Sequence, residues 1–156
     1  MPAYAVWNYD ELLRTNQLAR LLFERSTALY LSDARSVRDL LESPQIQVQA
    51  LAFRILGRDD PRARAVAAQN ADLLQATLFR PLHRRTRLAA FRALANAAAN
   101  DVATARYLLG RMRDALALPE KRYPTEKLVG LIGTVLHRWP SLRAPGEAPR
   151  IYGEVA

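Results

Sequence analysis

Apolar residues recur along this chain at the spacing of a single helical face. Val48, Leu51, Ala52, Ile55 and Leu56 stand at i, i+3, i+4, i+7 and i+8. Leu128, Leu131, Ile132, Val135 and Leu136 repeat the pattern, with Trp139 prolonging the stripe, and Val102, Ala105, Leu109, Met112 and Leu116 make a third. No sustained apolar/polar alternation interrupts the series, so the pattern predicts helix throughout, each stripe turned toward a core.

Punctuation places the breaks. Pro44, Pro61 and Pro81 each fit a first helical position, where no N–H is needed, and Ser43 and Asp60 precede two of them as caps. Asn8 with Glu11 resembles a capping box, Trp7 and Leu12 fall at its staple positions, and Asn100 is placed to cap a later helix. Pro119 and Pro140 end helices that run to Leu118 and Trp139. The predicted helices are 9–30, 33–42, 45–57, 61–78, 81–98, 101–117 and 124–139, and their short connections make neighbours antiparallel. Gly130 and Gly133 lie inside the last of these, where each costs about 1 kcal/mol relative to Ala, and they predict a close approach to the preceding unit.

An internal repeat then emerges. Leu51-Ala52-Phe53-Arg54-Ile55-Leu56 matches Ala89-Ala90-Phe91-Arg92-Ala93-Leu94 at an offset of 38, and Pro44 and Pro81 lie 37 apart. A break carrying Asp or Asn follows each (Asp59-Asp60, Asn100-Asp101), then a second helix; Leu128 to Leu136 opens a further unit at a looser offset near 42. Over residues 44–139 this organisation resembles the HEAT and armadillo repeats. The resemblance implies an all-α fold, a short α-α superhelix of about seven helices stacked as antiparallel pairs. It implies one domain over 1–139, with 1–43 an atypical N-terminal cap, 44–79 and 80–119 two repeats and 120–139 a partial one; 140–156 is a Pro- and Gly-containing tail.

Charge changes the picture more than composition does. The chain has 156 residues, half of them apolar, and a net charge of +8. Its cations are 21 Arg and two Lys, an Arg bias that GC-rich codons alone can produce. The distribution is uneven: residues 54–92 hold nine Arg and three Asp, a net of +6, whereas residues 1–53 sum to −1. Arg54, Arg58, Arg62, Arg80, Arg84, Arg85, Arg87 and Arg92 are therefore the candidate partner- or anion-binding residues. Arg80, Arg84 and Arg87 share one helical face and Arg85 and Arg92 another, while repeat stacking aligns Arg54 with Arg92 on successive units. Arginine offers a planar fork of donors to carboxylates and phosphates. Arginines at a helix N-terminus oppose the dipole, so Arg84 and Arg85 call for a reason other than helix stability.

Chemistry finds little purchase. The chain has no Cys, and His83 and His137 are 54 residues apart. Asp60 before Pro61 reads as a cap rather than as half of an acid–base pair with Asp59. Glycine-rich phosphate loops, H-E-x-x-H and G-x-S-x-G are all missing from the sequence. The expectation is no catalytic residue, no metal, no cofactor and no enzyme. The start lacks a basic and apolar leader, and charges interrupt every apolar run well short of the ~18 residues of a membrane span, so a cytoplasmic location away from membranes is expected. The partner read from these features is another protein with an acidic surface, with nucleic acid as the alternative; self-association is also open, because end faces of a short stack are hard to cap. In the tail, Ile151, Tyr152 and Val155 are apolar enough to dock.

Overall fold

The computed structural model describes residues 17–78, 84–118 and 125–144, and all regular structure among them is helical. In chain order the helices are α1 (Gln17–Leu31), α2 (Ala34–Glu42), α3 (Ile46–Leu56), α4 (Pro61–Gln69), α5 (Ala71–Thr77), α6 (Arg84–Ala97), α7 (Val102–Ala117) and α8 (Thr125–Arg138). Short 3-10 turns follow α6 (Ala98–Asn100) and α8 (Pro140–Leu142).

Aspartates start three of these helices. Asp33, Asp60 and Asp101 have extended backbone, and each carboxylate accepts the amide two residues on, from Arg35, Arg62 and Ala103. The amides so engaged are among the first-turn donors that a helix cannot satisfy itself. Asp60 and Pro61 behave as the sequence predicts, whereas the other caps shift. The cap of α7 is Asp101, one residue beyond Asn100, because its carboxylate also accepts the Thr104 hydroxyl at 2.6 Å. Ser43 closes α2 instead of opening α3, and Pro44 lies ahead of the α3 cap, Gln45. The Asn8 capping box, its staple, Pro81 and Pro119 lie outside the described residues.

The predicted helix 61–78 is two helices, which makes eight among the described residues. Asn70 divides it, serving at once as C-cap of α4 and N-cap of α5. Its buried amide donates to the Val66 carbonyl at 3.0 Å. Asparagine competes with the helical ladder through local side-chain bonds, and here that bond turns the backbone at the junction.

The core runs through every described helix. Leu41, Phe53, Ile55, Leu56, Leu74, Leu94, Leu108, Met112, Ile132 and Leu136 are among its fully buried side chains. Helix α6 is central, packing against α3 and α4 on one side and α7 and α8 on the other. The carbonyl ends of α3, α6 and α8 meet at one edge. Asn96, near the end of α6, donates to Leu56 O at 2.6 Å and Arg58 O at 2.8 Å. Arg138 Nε and Trp139 Nε1, at the end of α8, donate to Ala99 O and Ala98 O, each at 2.9 Å. Helix ends leave carbonyls without intrahelical partners, so each of these side chains satisfies the end of a helix about 40 residues earlier. Asn96 and Arg138 are themselves 42 apart.

Glycines mark where helices touch and where they do not. At Gly57 an added Cβ meets Phe53 O at 3.1 Å and Arg92 Cβ at 3.3 Å, so α3 and α6 close against each other there. Gly133 is buried, in keeping with a close approach. Gly130 is not part of such an approach: it is exposed, and nothing lies within 4 Å of an added Cβ, as is also true of Gly110 in α7. The two exposed glycines give up helix propensity without compensation, so Gly110→Ala and Gly130→Ala should each stabilise the chain by roughly 0.5–1 kcal/mol. Gly57→Ala should do the reverse. Urea titration of the three variants checks the contrast, which is lost if Gly57→Ala matches or exceeds the other two in stability.

Pro140–Leu142, at the start of the Pro- and Gly-containing tail, form a 3-10 turn. Leu142 packs against the core, and its carbonyl accepts Arg113 Nη2 at 3.0 Å.

Candidate functional site

The basic middle of the chain is built on α3, α4, α5 and α6, and its three acids are all engaged inside the protein. Asp59 accepts Arg64 Nη1 at 2.9 Å. Asp60 accepts Arg62 Nη2 at 3.2 Å in addition to the Arg62 amide. Asp72, in the first turn of α5, is held by both terminal nitrogens of Arg38 from α2, at 3.3 and 3.4 Å. The Arg62 hydrogen bond and amide hold the Asp60 carboxyl below its ordinary value; the Arg38 hydrogen bond does the same for Asp72, and that bond together with the Asp72 charge raises Arg38. These pairs are largely solvated and contribute little to stability individually. Their consequence is electrostatic: the acids of this segment are spent on Arg62, Arg64 and an arginine from outside it.

The remaining arginines differ in setting. Arg54 and Arg87 are half-buried, with their Nε atoms out of contact with solvent. Arg58, also half-buried, follows Gly57 at the end of α3. Arg92 is exposed, and among the described residues its guanidinium enters no ion pair or hydrogen bond. Its Cβ flanks Gly57, so Arg58 and Arg92 border one seam between α3 and α6. Arg84 and Arg85 open α6. Arg80 lies outside the described residues, as do His83, Ile151, Tyr152 and Val155. Arg54 and Arg92, equivalent at an offset of 38, therefore differ in exposure, Arg54 half-buried in α3 and Arg92 exposed on α6.

Charge at the caps follows local donors. The Thr104 hydroxyl and the Ala103 amide hold the Asp101 carboxyl down, and Ser36 with the Arg35 amide does so for Asp33. Of the i, i+4 pairs in the sequence, Arg38–Glu42 forms at 3.1 Å. His137 is exposed in the last turn of α8. No cluster of three metal-capable side chains occurs among the described residues, and no described helix is long and apolar enough to cross a membrane.

Two features escape the linear pattern. Arg38 has i, i+4 company in Glu42, yet its bidentate partner is Asp72, 34 residues away. Asn96 sits in an Ala-rich stretch that gives no sign of its two long-range acceptors. No family model, curated protein or solved structure matches the chain.

Proposed function

We propose that this chain is a short HEAT/armadillo-like stack that serves as a non-enzymatic protein-interaction module, a subunit of a larger assembly whose partner presents an acidic surface. The observation that carries the reading is that Asp59, Asp60 and Asp72 are engaged by Arg64, Arg62 and Arg38, while Arg92 stays exposed and outside any ion pair among the described residues. The offset of about 40 between Asn96, Arg138, Trp139 and their acceptors supports the repeated stack, since each unit secures the end of the one before it. A surface of this sign raises the rate and selectivity of association with oppositely charged partners.

Affinity isolation of the tagged chain from its native cell, at low salt and with nuclease added, tests the proposal. Retention of a stoichiometric protein with an acidic segment is the expected result. Recovery of no stoichiometric protein, or of nucleic acid whose removal releases everything else, overturns it in favour of a nucleic-acid-binding module built on residues 54–92.

A further inference from the structure

We propose that the outer face of α7 is a docking surface for this chain's own residues 145–156, with Glu147 seated on Arg106 and Ile151 on Val102. Val102, Arg106, Gly110, Arg113 and Ala117 stand at i, i+4, i+8, i+11 and i+15, one line along the helix. The buried residues of α7, among them Ala105, Leu108, Leu109 and Met112, lie on another side. Val102 is 38% exposed, and nothing lies within 4 Å of a Cβ added at Gly110. Arg106 is exposed, enters no ion pair among the described residues, and has no acid three or four positions away on either side.

The chain already reaches this line. Arg113 donates to Leu142 O at 3.0 Å, Leu142 packs against the core, and Ala144 is half-buried. Residue 145 therefore continues a stretch that is held against the middle of α7. Length then decides the direction. Toward Ala117 the line ends about 6 Å beyond Arg113, whereas toward Val102 it runs about 16 Å. The residues from Leu142 to Ile151 can span up to about 30 Å, and those from Leu142 to Glu147 about 16 Å against the roughly 10 Å from Arg113 to Arg106. Charge agrees with reach. Glu147 is the first acid after Ala144, and Arg106 is the cation of the line that Leu142 does not occupy. With that pair made, Ile151 falls within reach of exposed Val102, apolar against apolar. A segment docked in this way opens locally at far lower cost than global unfolding. Covering Val102 therefore registers in the docking and adds little to the stability that urea measures. The docking needs no partner protein, and it holds or fails independently of the interaction-module reading.

The chain has no Cys, so Gly153→Cys gives the full-length protein a single attachment point for a nitroxide, and paramagnetic broadening of backbone amides locates the segment. The amides of Ala103, Arg106 and Tyr107 should broaden, and those of α1 and α2 should not. Glu147→Arg and Arg106→Glu should each lower the ratio of docked to free segment by about fivefold. The two changes together restore the pair with its charges exchanged, and should bring the ratio back to within about twofold of the parent. Arg106 is exposed and Glu147 lies outside the described helices, so neither change touches the core, and unshifted amides of α6 and α8 verify the fold. Broadening confined to α8 and the last turn of α7, broadening spread evenly over the helices, or a loss that the double reversal does not restore overturns the proposal. Equal broadening in a mixture of nitroxide-bearing chain with isotope-enriched chain lacking the label also overturns it, because the occupant is then a second copy.

Discussion

Replacing Phe53 by Ala is expected to remove about 3–5 kcal/mol of stability, a large part of the ~5–15 kcal/mol that holds a domain of this size folded. Phe53 is fully buried in α3, which packs between α2 and α6. Truncation there loses the transfer energy of the ring and leaves a void that surrounding helices, fixed at Gly57 and Asn96, are poorly placed to fill. Phe91→Ala, at the corresponding position of α6 and 3% exposed, should lose a similar amount. Val102→Ala is the contrast. The periodic stripe of α7 assigns Val102 to the core, but the residue is 38% exposed, so its truncation should change stability by less than about 0.5 kcal/mol. Urea unfolding followed by far-ultraviolet circular dichroism measures all three. A loss at Phe53 no larger than that at Val102 would show that α3 does not face the core as described.

That contrast also marks what the linear pattern can and cannot reveal. The helical class, the stripe from Leu128 to Leu136 and the Asp60-Pro61 start were readable because each rests on neighbours within a turn or two. Val102 fell outside the core because a period fixes a face but not how far along the helix that face stays covered; the first turn of α7 overhangs its packing partners. The break at Asn70 left a weak local signal, an Asn followed by an acid at the start of a new turn, and an unbroken apolar rhythm masked it. Gly130 illustrates a different limit. A glycine in a helix signals either contact or nothing, and only its surroundings distinguish the two.

The candidate site was legible in composition and illegible in arrangement. The excess of arginine over residues 54–92 is plain from counting. That Arg62 and Arg64 serve the protein's own acids follows from contacts two and five residues apart, but that Arg38 enters from α2 to neutralise Asp72 and that Arg58 and Arg92 border one seam depend on packing between segments 34 to 38 residues apart. Equal spacing in the repeat did not bring equal exposure, since Arg54 is half-buried and Arg92 is open. Sequence register places residues on corresponding helices, and burial is then decided by which face of each helix its neighbours cover.

Asn96 is the residue on which the α3–α6 seam depends most, and Asn96→Asp should cost about 3 kcal/mol at neutral pH. The amide donates to two carbonyl oxygens, Leu56 O and Arg58 O, at the end of another helix. A carboxylate of nearly the same shape has no proton to give, and it sets negative charge against both oxygens and against the carbonyl end of the α3 dipole. Its folded-state pKa is therefore raised. The penalty is fully present above that raised value and shrinks as pH falls through it, because the protonated carboxyl can again donate one hydrogen bond. Asn96→Ala removes the same donors without adding charge, so its cost should be smaller and should show no corresponding relief in mild acid. Urea unfolding of the two variants and the parent at pH 7 and pH 4.5 separates these contributions. If Asn96→Asp were no worse than Asn96→Ala at pH 7, or if it gained nothing relative to Asn96→Ala at the lower pH, the two carbonyl bonds would not be what joins these helices. If both forecasts hold, the link that secures the end of α3 is also what keeps Arg58 and Arg92 on either side of one seam.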